Sequence, residues 1–301
     1  MGRSRQAIAL LLLTLAALAA WRFLLVRTGW AARFGESNYQ ANLIRIEEYL
    51  ARARTPSLVL VGSSVAGRLR PEFFPAAPGL DPATLGLDGS TPLVGLEVVA
   101  RRSGKPVLLL VETYLLDRPP NRNDAGLLAA LDSPGLALAR RDPLFRTASR
   151  PSSLLYSWLK SRREEESPGH PAETTPAPPA SRAVPTPPAG PRADRAAAAD
   201  RHWPAQLRRL RAEGVQVAFV DVPIGESPAP GLATSADTAD TAEGLARLLG
   251  LPRLDLRAEL HRRQVTLRYT DGLHLTAASA RQAAEVLGEM VTPLLRPPSP
   301  P

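Results

Sequence analysis

Three short, almost unbroken apolar stretches constrain the fold of this chain more than any other feature: Ser57–Val61, Pro106–Val111 and Val215–Val220. Each is too short for a buried helix, and the first runs straight into Gly62-Ser63-Ser64, the pattern of a buried parallel strand meeting a turn. Helical periodicity fills the gaps. Asn38–Arg54 sets Leu43, Ile46 and Leu50 on one face with Glu47 and Glu48 turned outward; Leu93–Arg102 is closed by Gly104; and a helix starting at Pro204 stops at Gly214. Weaker strands at Thr84–Leu87 and Leu254–Leu256, a helix near Thr241–Leu249 and a last helix from Ala277 to Leu295 complete the alternation. Such alternation predicts an α/β fold, a parallel sheet with helices on both faces. Functional groups then gather at the C-terminal ends of the strands: Gly62–Ser64, Asp88–Ser90, Glu112–Tyr114, Asp221–Ile224 and the segment before the last helix.

At 301 residues the chain has room for one α/β domain plus additions, and its 31 prolines are too many for a compact fold throughout. Between Arg118 and Trp203 the character changes. Helical fragments around Leu127–Leu131 and Leu154–Leu159 give way to Glu164–Arg195, rich in Pro, Ala, Thr and Ser and expected to be disordered. The expected organisation is therefore an anchor or signal at 1–27, a first part of the core at 28–118, an insertion at 119–203, a second part of the core at 204–296 and a disordered tail at 297–301.

The formal charge of +8 is almost wholly arginine, since Lys105 and Lys160 are the only lysines. Pairs such as Arg101-Arg102, Arg140-Arg141 and Arg208-Arg209 are scattered among acidic residues, which suits solvated helix faces and gives no nucleic-acid footprint. Absence of cysteine excludes disulfides, metal-thiolate sites and cysteine nucleophiles. His170 falls in the Pro-rich tract, and His202 and His261 have no partner at ligand spacing, so neither a metal nor a cofactor is expected.

Ala7–Val26 is apolar but for Arg22, and about 20 residues at 1.5 Å each match the roughly 30 Å hydrocarbon core of a bilayer. Arg3 and Arg5 ahead of it, with Ala17-Leu18-Ala19 inside it, also fit a cleavable secretory signal. The continuation through Phe23–Val26 favours a retained anchor, with Arg22 snorkelling to the interface. Either way the remainder is expected outside the cytoplasmic membrane, single-pass and periplasmic if retained, secreted if cleaved. Charge counting alone does not set that orientation, because Arg22, Arg27 and Arg33 outnumber Arg3 and Arg5.

The sharpest chemical signal is Tyr269-Thr-Asp-Gly-Leu-His-Leu-Thr276. Asp271 and His274 stand three apart on a turn that Gly272 permits, and Thr276 can cap the next helix. Asp271 could then fix the imidazole through Nδ1 and leave Nε2 to take a proton from a serine hydroxyl. Ser64, after the first core strand and at the start of Val65–Leu69, is placed where helix-start amides and the helix dipole favour developing negative charge. Taken singly, each has a plainer reading, an N-cap serine and a turn-capping aspartate with a surface histidine.

Together these segments resemble the SGNH/GDSL hydrolases. Leu58-Val-Leu-Val-Gly-Ser-Ser64 looks like the family's first block, usually G-D-S; Asp271-Gly-Leu-His-Leu-Thr276 looks like its fifth, D-x-x-H; and Leu85-Gly-Leu-Asp-Gly-Ser-Thr91 looks like the second, whose glycine supplies an oxyanion-hole amide. Gly89 matches better than Gly86. The resemblance spans roughly 38–118 and 204–296, and implies a flavodoxin-like three-layer sandwich on a sheet of about five strands. It also implies a catalytic triad of Ser64, His274 and Asp271, with the Ser64 and Gly89 amides as oxyanion hole. Gly-Ser-Ser is the variant of membrane-anchored relatives in exopolysaccharide O-acetylation and teichoic-acid D-alanylation. The third block departs from the pattern: Leu110-Val-Glu-Thr-Tyr-Leu-Leu-Asp117 has no asparagine, leaving Thr113 or Tyr114 as substitutes and Asn121 and Asn123 as loop residues.

The implied activity is that of an extracytoplasmic serine esterase or O-acyltransferase acting on acyl esters, those of envelope polysaccharide among them, with the membrane as partner through the N-terminal helix. The alternative from another class is a non-catalytic binding or assembly module of a cell-envelope complex. Gly62-Ser63-Ser64-Val-Ala-Gly67 lacks the lysine of a phosphate loop and has Ala66 where an α/β-hydrolase elbow has glycine. In that elbow reading Asp221 would be the triad acid.

Overall fold

The apolar stretches and the two weaker segments form five strands: β1 (Leu58–Ser63), β2 (Pro82–Leu87), β3 (Leu108–Glu112), β4 (Gln216–Val220) and β5 (Arg253–Leu254). All neighbours pair in parallel, in the order β2-β1-β3-β4-β5. The parallel sheet is the one the α/β alternation predicts, and its strand order is flavodoxin-like. The computed structural model describes residues 2–116, 118–166, 203–225, 243–244 and 246–295. Most of Glu164–Arg195, His170, His202, Asp117, the start of the helix expected near Thr241 and the 297–301 tail lie outside the described residues.

Helices among the described residues are α1 (Gly2–Thr28), α2 (Asn38–Ala51), α3 (Pro92–Arg101), α4 (Arg122–Leu131), α5 (Pro134–Arg141), α6 (Pro151–Glu166), α7 (Trp203–Ala212), α8 (Leu256–Arg262) and α9 (Ala277–Val291). The described residues fall into two compact units, one within Met1–Ala51 and Ala129–Pro168, the other within Arg52–Leu128 and Gly169–Pro301. Residues 28–51, which the sequence assigns to the sheet domain, cluster with the helical unit.

In the sheet unit, alternate residues of each strand serve opposite layers. Leu58, Leu60, Leu108, Leu110, Ala218 and Val220 join Leu256 and Leu260 of α8 and Ala280, Ala283 and Leu287 of α9 in one buried cluster. Val59, Val61, Leu109, Val111, Val217 and Phe219 are buried on the other face, where α3 packs on β1 and α7 on α3. Gly95 of α3 is small because a β-carbon there would press on Val61. Each fully buried Leu or Val contributes about 1.5–3 kcal/mol, so the sheet interior carries most of the unit's stability.

Four local expectations are corrected. Leu256 does not extend β5; Asp255 accepts from the Ala258 N–H at 2.8 Å and starts α8 instead. Val65–Leu69 is a single 3-10 turn at Ala66–Arg68, too short for a macrodipole of any size, so Ser64 has turn amides but no helix behind it. Arg102 is buried, not solvated, and its Nη2 donates to the Arg52 and Arg54 carbonyls at 2.7 and 2.9 Å. Glu47 turns inward: its carboxylate accepts from the Thr147 N–H and hydroxyl at 2.7 and 2.8 Å, while Glu48 stays exposed.

In the helical unit, Arg5–Thr28 of α1 is long and apolar enough to cross a membrane. Its last turns bind the segment leading into α6: Trp21 Nε1 donates to the Ser149 carbonyl at 3.3 Å, and Arg22 Nε pairs with Asp142 Oδ2 at 2.6 Å. Arg22 is thus held by an ion pair. The Leu144 N–H first, and then the Arg22 guanidinium, hold the Asp142 carboxyl below the usual carboxylate range.

Candidate active site

β1 and β2 end level with one another, Ser63 opposite Leu87, so the turns that follow them emerge side by side. At the first, Ser64 Oγ lies 2.8 Å from His274 Nε2. At the second, Ser90 N–H donates to the Leu87 carbonyl at 3.1 Å while Gly89 has φ +67°. Asp88 keeps a negative φ, which makes Leu87–Ser90 a type II turn whose third residue must be glycine or similarly permissive. Among the described residues neither the Ser64 nor the Gly89 N–H has an acceptor, leaving both able to donate to an oxyanion. Gly86, the weaker match, lies within β2, where a β-carbon would overlap the Gly67 backbone; its smallness serves packing of the 3-10 turn on the strand.

His274 is carried by a tight turn closed by an antiparallel bridge between Tyr269 and Leu275. Thr270 N–H donates to the His274 carbonyl at 2.8 Å, Gly272 takes φ +75°, and buried Leu275 anchors the turn in the core cluster. Asp271 does two jobs. Oδ1 accepts from the Leu273 and His274 N–H groups at 3.1 and 2.8 Å, shaping the turn, and Oδ2 faces His274 Nδ1 at 2.6 Å. Burial is the largest influence on this carboxyl and opposes its ionisation, yet the two amides and the imidazole together hold it down at about 2. Thr276 caps α9, accepting from Ser279 N–H at 3.3 Å. Ser64, His274 and Asp271 are thereby brought into one hydrogen-bonded line.

Thr113 and Tyr114 follow the end of β3. Thr113 Oγ1 donates to Asp221 Oδ1 at 2.5 Å, so its proton is committed. Asp221 is committed as well, its Oδ2 bound by Arg253 Nε at 2.5 Å, which removes it as a triad acid for His274. The Tyr114 hydroxyl is buried with no partner among the described residues, and burial first, then the nearby Glu112 carboxyl, push its pKa up. Of these two hydroxyls only that of Tyr114 is without an acceptor among the described residues.

Several side chains around the site escape a reading by motif. Asn121 and Asp124 cap one another at the start of α4, Asn121 Oδ1 accepting from Asp124 N–H at 3.0 Å and Asp124 Oδ2 from Asn121 N–H at 2.8 Å. Fully buried Asp124 also accepts from the Ser90 hydroxyl and from Thr91 N–H at 3.2 Å. The Gly89 carbonyl accepts from Asn121 Nδ2 and Arg118 Nη2 at 2.9 and 2.7 Å. The Gly89 turn is thus held from behind, and the N-x-x-D spacing of a helix start is the one sequence signal that points to the brace.

Glu112 is the other. Fully buried beneath the turn that carries Ser64, its carboxyl takes the Ser63 N–H and stands 3.1 Å from Ser63 Oγ, and a β-carbon at Gly62 would overlap it. Burial raises its pKa from 4.5 to about 7, against the lowering effect of both Ser63 hydrogen bonds. The folded state therefore retains a proton that the unfolded chain releases. Stability from this group is complete below about pH 4.5 and declines as pH rises to about 7, by about 3 kcal/mol in all. Urea unfolding at about pH 5 and about pH 8 should show this loss in the natural protein and a smaller one in Glu112→Gln. Equal losses in both would contradict the raised pKa.

Among the described residues no three His, Cys, Asp or Glu side chains converge as a metal site. No family model, curated protein or solved structure matches the chain.

Proposed function

We propose that the chain is a serine esterase or O-acyltransferase acting on acyl esters outside the cytoplasmic membrane, with esters of envelope polysaccharide as the substrate class. The observation that carries the reading is the line Ser64 Oγ–His274 Nε2 at 2.8 Å and His274 Nδ1–Asp271 Oδ2 at 2.6 Å. Ser64 attacks the acyl carbonyl as His274 takes its proton, and the Ser64 and Gly89 amides receive the oxyanion. His274 returns the proton to the departing alcohol. Water then releases the acyl group, or a sugar hydroxyl accepts it; the triad serves both. The substrate class and the extracytoplasmic setting rest on the Gly-Ser-Ser resemblance and on α1.

A non-catalytic envelope module is favoured by one observation, the lack of a third-block asparagine together with a Thr113 hydroxyl spent on Asp221. Labelling of purified full-length protein in detergent with a fluorophosphonate probe separates the two. Adduct on the peptide bearing Ser64 supports the enzyme, whereas folded protein without adduct supports the module.

A further inference from the structure

α6 is amphipathic in the wrong sense for a helix of a water-soluble fold. Its buried positions include Ser153 and Ser157, while Leu155, Trp158 and Leu159, at i, i+3 and i+4, are 57%, 51% and 46% exposed. Ser157 is inside because its hydroxyl accepts from the Phe34 N–H at 2.8 Å and faces the Phe34 carbonyl at 3.2 Å. Phe145, just ahead of α6, is 49% exposed. Basic residues are frequent in this part of the sequence: from Asp132 to Glu166 there are Arg140, Arg141, Arg146, Arg150, Lys160, Arg162 and Arg163, against Asp132, Asp142 and, at the far end of α6, Glu164, Glu165 and Glu166, and Asp142 is paired with Arg22. The Arg162 guanidinium lies over the Trp158 ring at 4.5 Å.

The chain supplies the level at which this face sits. A bilayer core takes up about 20 helical residues, which from Arg5 reaches Leu24. Trp21 and Arg22, near that boundary, are bonded to Ser149 and Asp142, and Ser149 stands two residues before α6 begins at Pro151. The Ala32 N–H adds a bond to the Ala148 carbonyl at 2.7 Å. The start of α6 is therefore tied to the part of α1 that leaves the hydrocarbon. Leu and Trp on one face with Arg and Lys around them are what a helix lying in the headgroup region presents.

We propose that the Leu155–Trp158–Leu159 face of α6 is a second membrane contact, seated in the interface of an anionic phospholipid bilayer beside α1. The inference rests on the reading of α1 as a retained span.

The chain has no cysteine, so single cysteines report cleanly. Full-length Leu155→Cys and Leu159→Cys proteins, labelled with the environment-sensitive fluorophore NBD, are reconstituted into phosphatidylcholine vesicles with and without phosphatidylglycerol. Val107→Cys, half-exposed on the sheet unit, serves as reference. Both α6 labels should emit blue-shifted light and lose most of it to lipids carrying a nitroxide near the headgroup. Iodide should quench them less than the reference, and phosphatidylglycerol should deepen the lipid quenching. Protein that does not float with the vesicles defeats the α1 reading itself. Protein that floats while both labels match the reference overturns the α6 contact alone, as do labels shielded from lipid and iodide alike, which would mean a protein cover.

Discussion

Ser64→Ala and His274→Ala should each abolish nearly all hydrolysis of a small activated ester, by as much as about 10⁶-fold in kcat/KM. The two losses should be alike and should not add in the double variant, because nucleophile and base act as one unit across the 2.8 Å contact. Asp271→Asn should cost less, about 10⁴-fold. The structure gives a reason for the ranking. The Asp271 side chain is 47% exposed against 16% for His274, so water can take over part of its solvation of an imidazolium. The carbonyl of the substituted asparagine would still accept from the two turn amides. Thermal unfolding of each variant checks that the fold is intact, which is expected since Ser64 and His274 contribute little to the apolar cluster. Folded Ser64→Ala protein with unchanged activity would remove Ser64 from the mechanism and with it the proposed function.

What could be read from the sequence follows the range of the forces involved. Strands buried on both faces must be apolar at successive positions, so β1, β3 and β4 are visible as runs. The Asp271–His274 turn is visible because its chemistry is local, an i, i+3 contact over one glycine. Ser64 comes into view only through its place at a strand end. The residues around the site depend on contacts made across the sheet. Glu112 reads only as a residue at a strand end until β3 is laid beside β1 and puts it under Ser63. Glu47 misleads in the same way, since helical periodicity sees a charge and not the Thr147 donors, 100 residues on, that make its burial tolerable. α8 is hidden by its length, seven residues with too little periodicity to count. α6 shows the opposite failure. Its apolar residues are legible, but a pattern cannot say whether they meet a protein core or a lipid surface.

Gly225→Ala should lower kcat/KM by at least about 10²-fold without touching any group of the triad. Gly225 ends the described loop after β4, and a β-carbon there would overlap the carbonyl oxygen of Gly272, between Asp271 and His274. Its φ is not in the left-handed region, so the demand is for closeness of two backbones and not for glycine's conformational freedom. Neither side can yield cheaply. The Ile224 side chain is buried in the core cluster and its carbonyl accepts from Arg257 Nη2 at 2.8 Å. On the other side, Leu275 pins the Asp271–His274 turn to that same cluster. An added methyl must therefore shift the turn by a sizeable fraction of its own diameter, and a displacement of about 1 Å is enough to break alignment between an imidazole and a serine hydroxyl. The loss should fall on kcat, because the residues at the strand ends that would meet substrate keep their places. Labelling of Ser64 by a fluorophosphonate should slow in proportion, as both reactions need the same proton transfer. A Gly225→Ala protein that is folded and as active as the natural one would show that the turn yields without moving His274, and the contact between the two loops would then be packing alone.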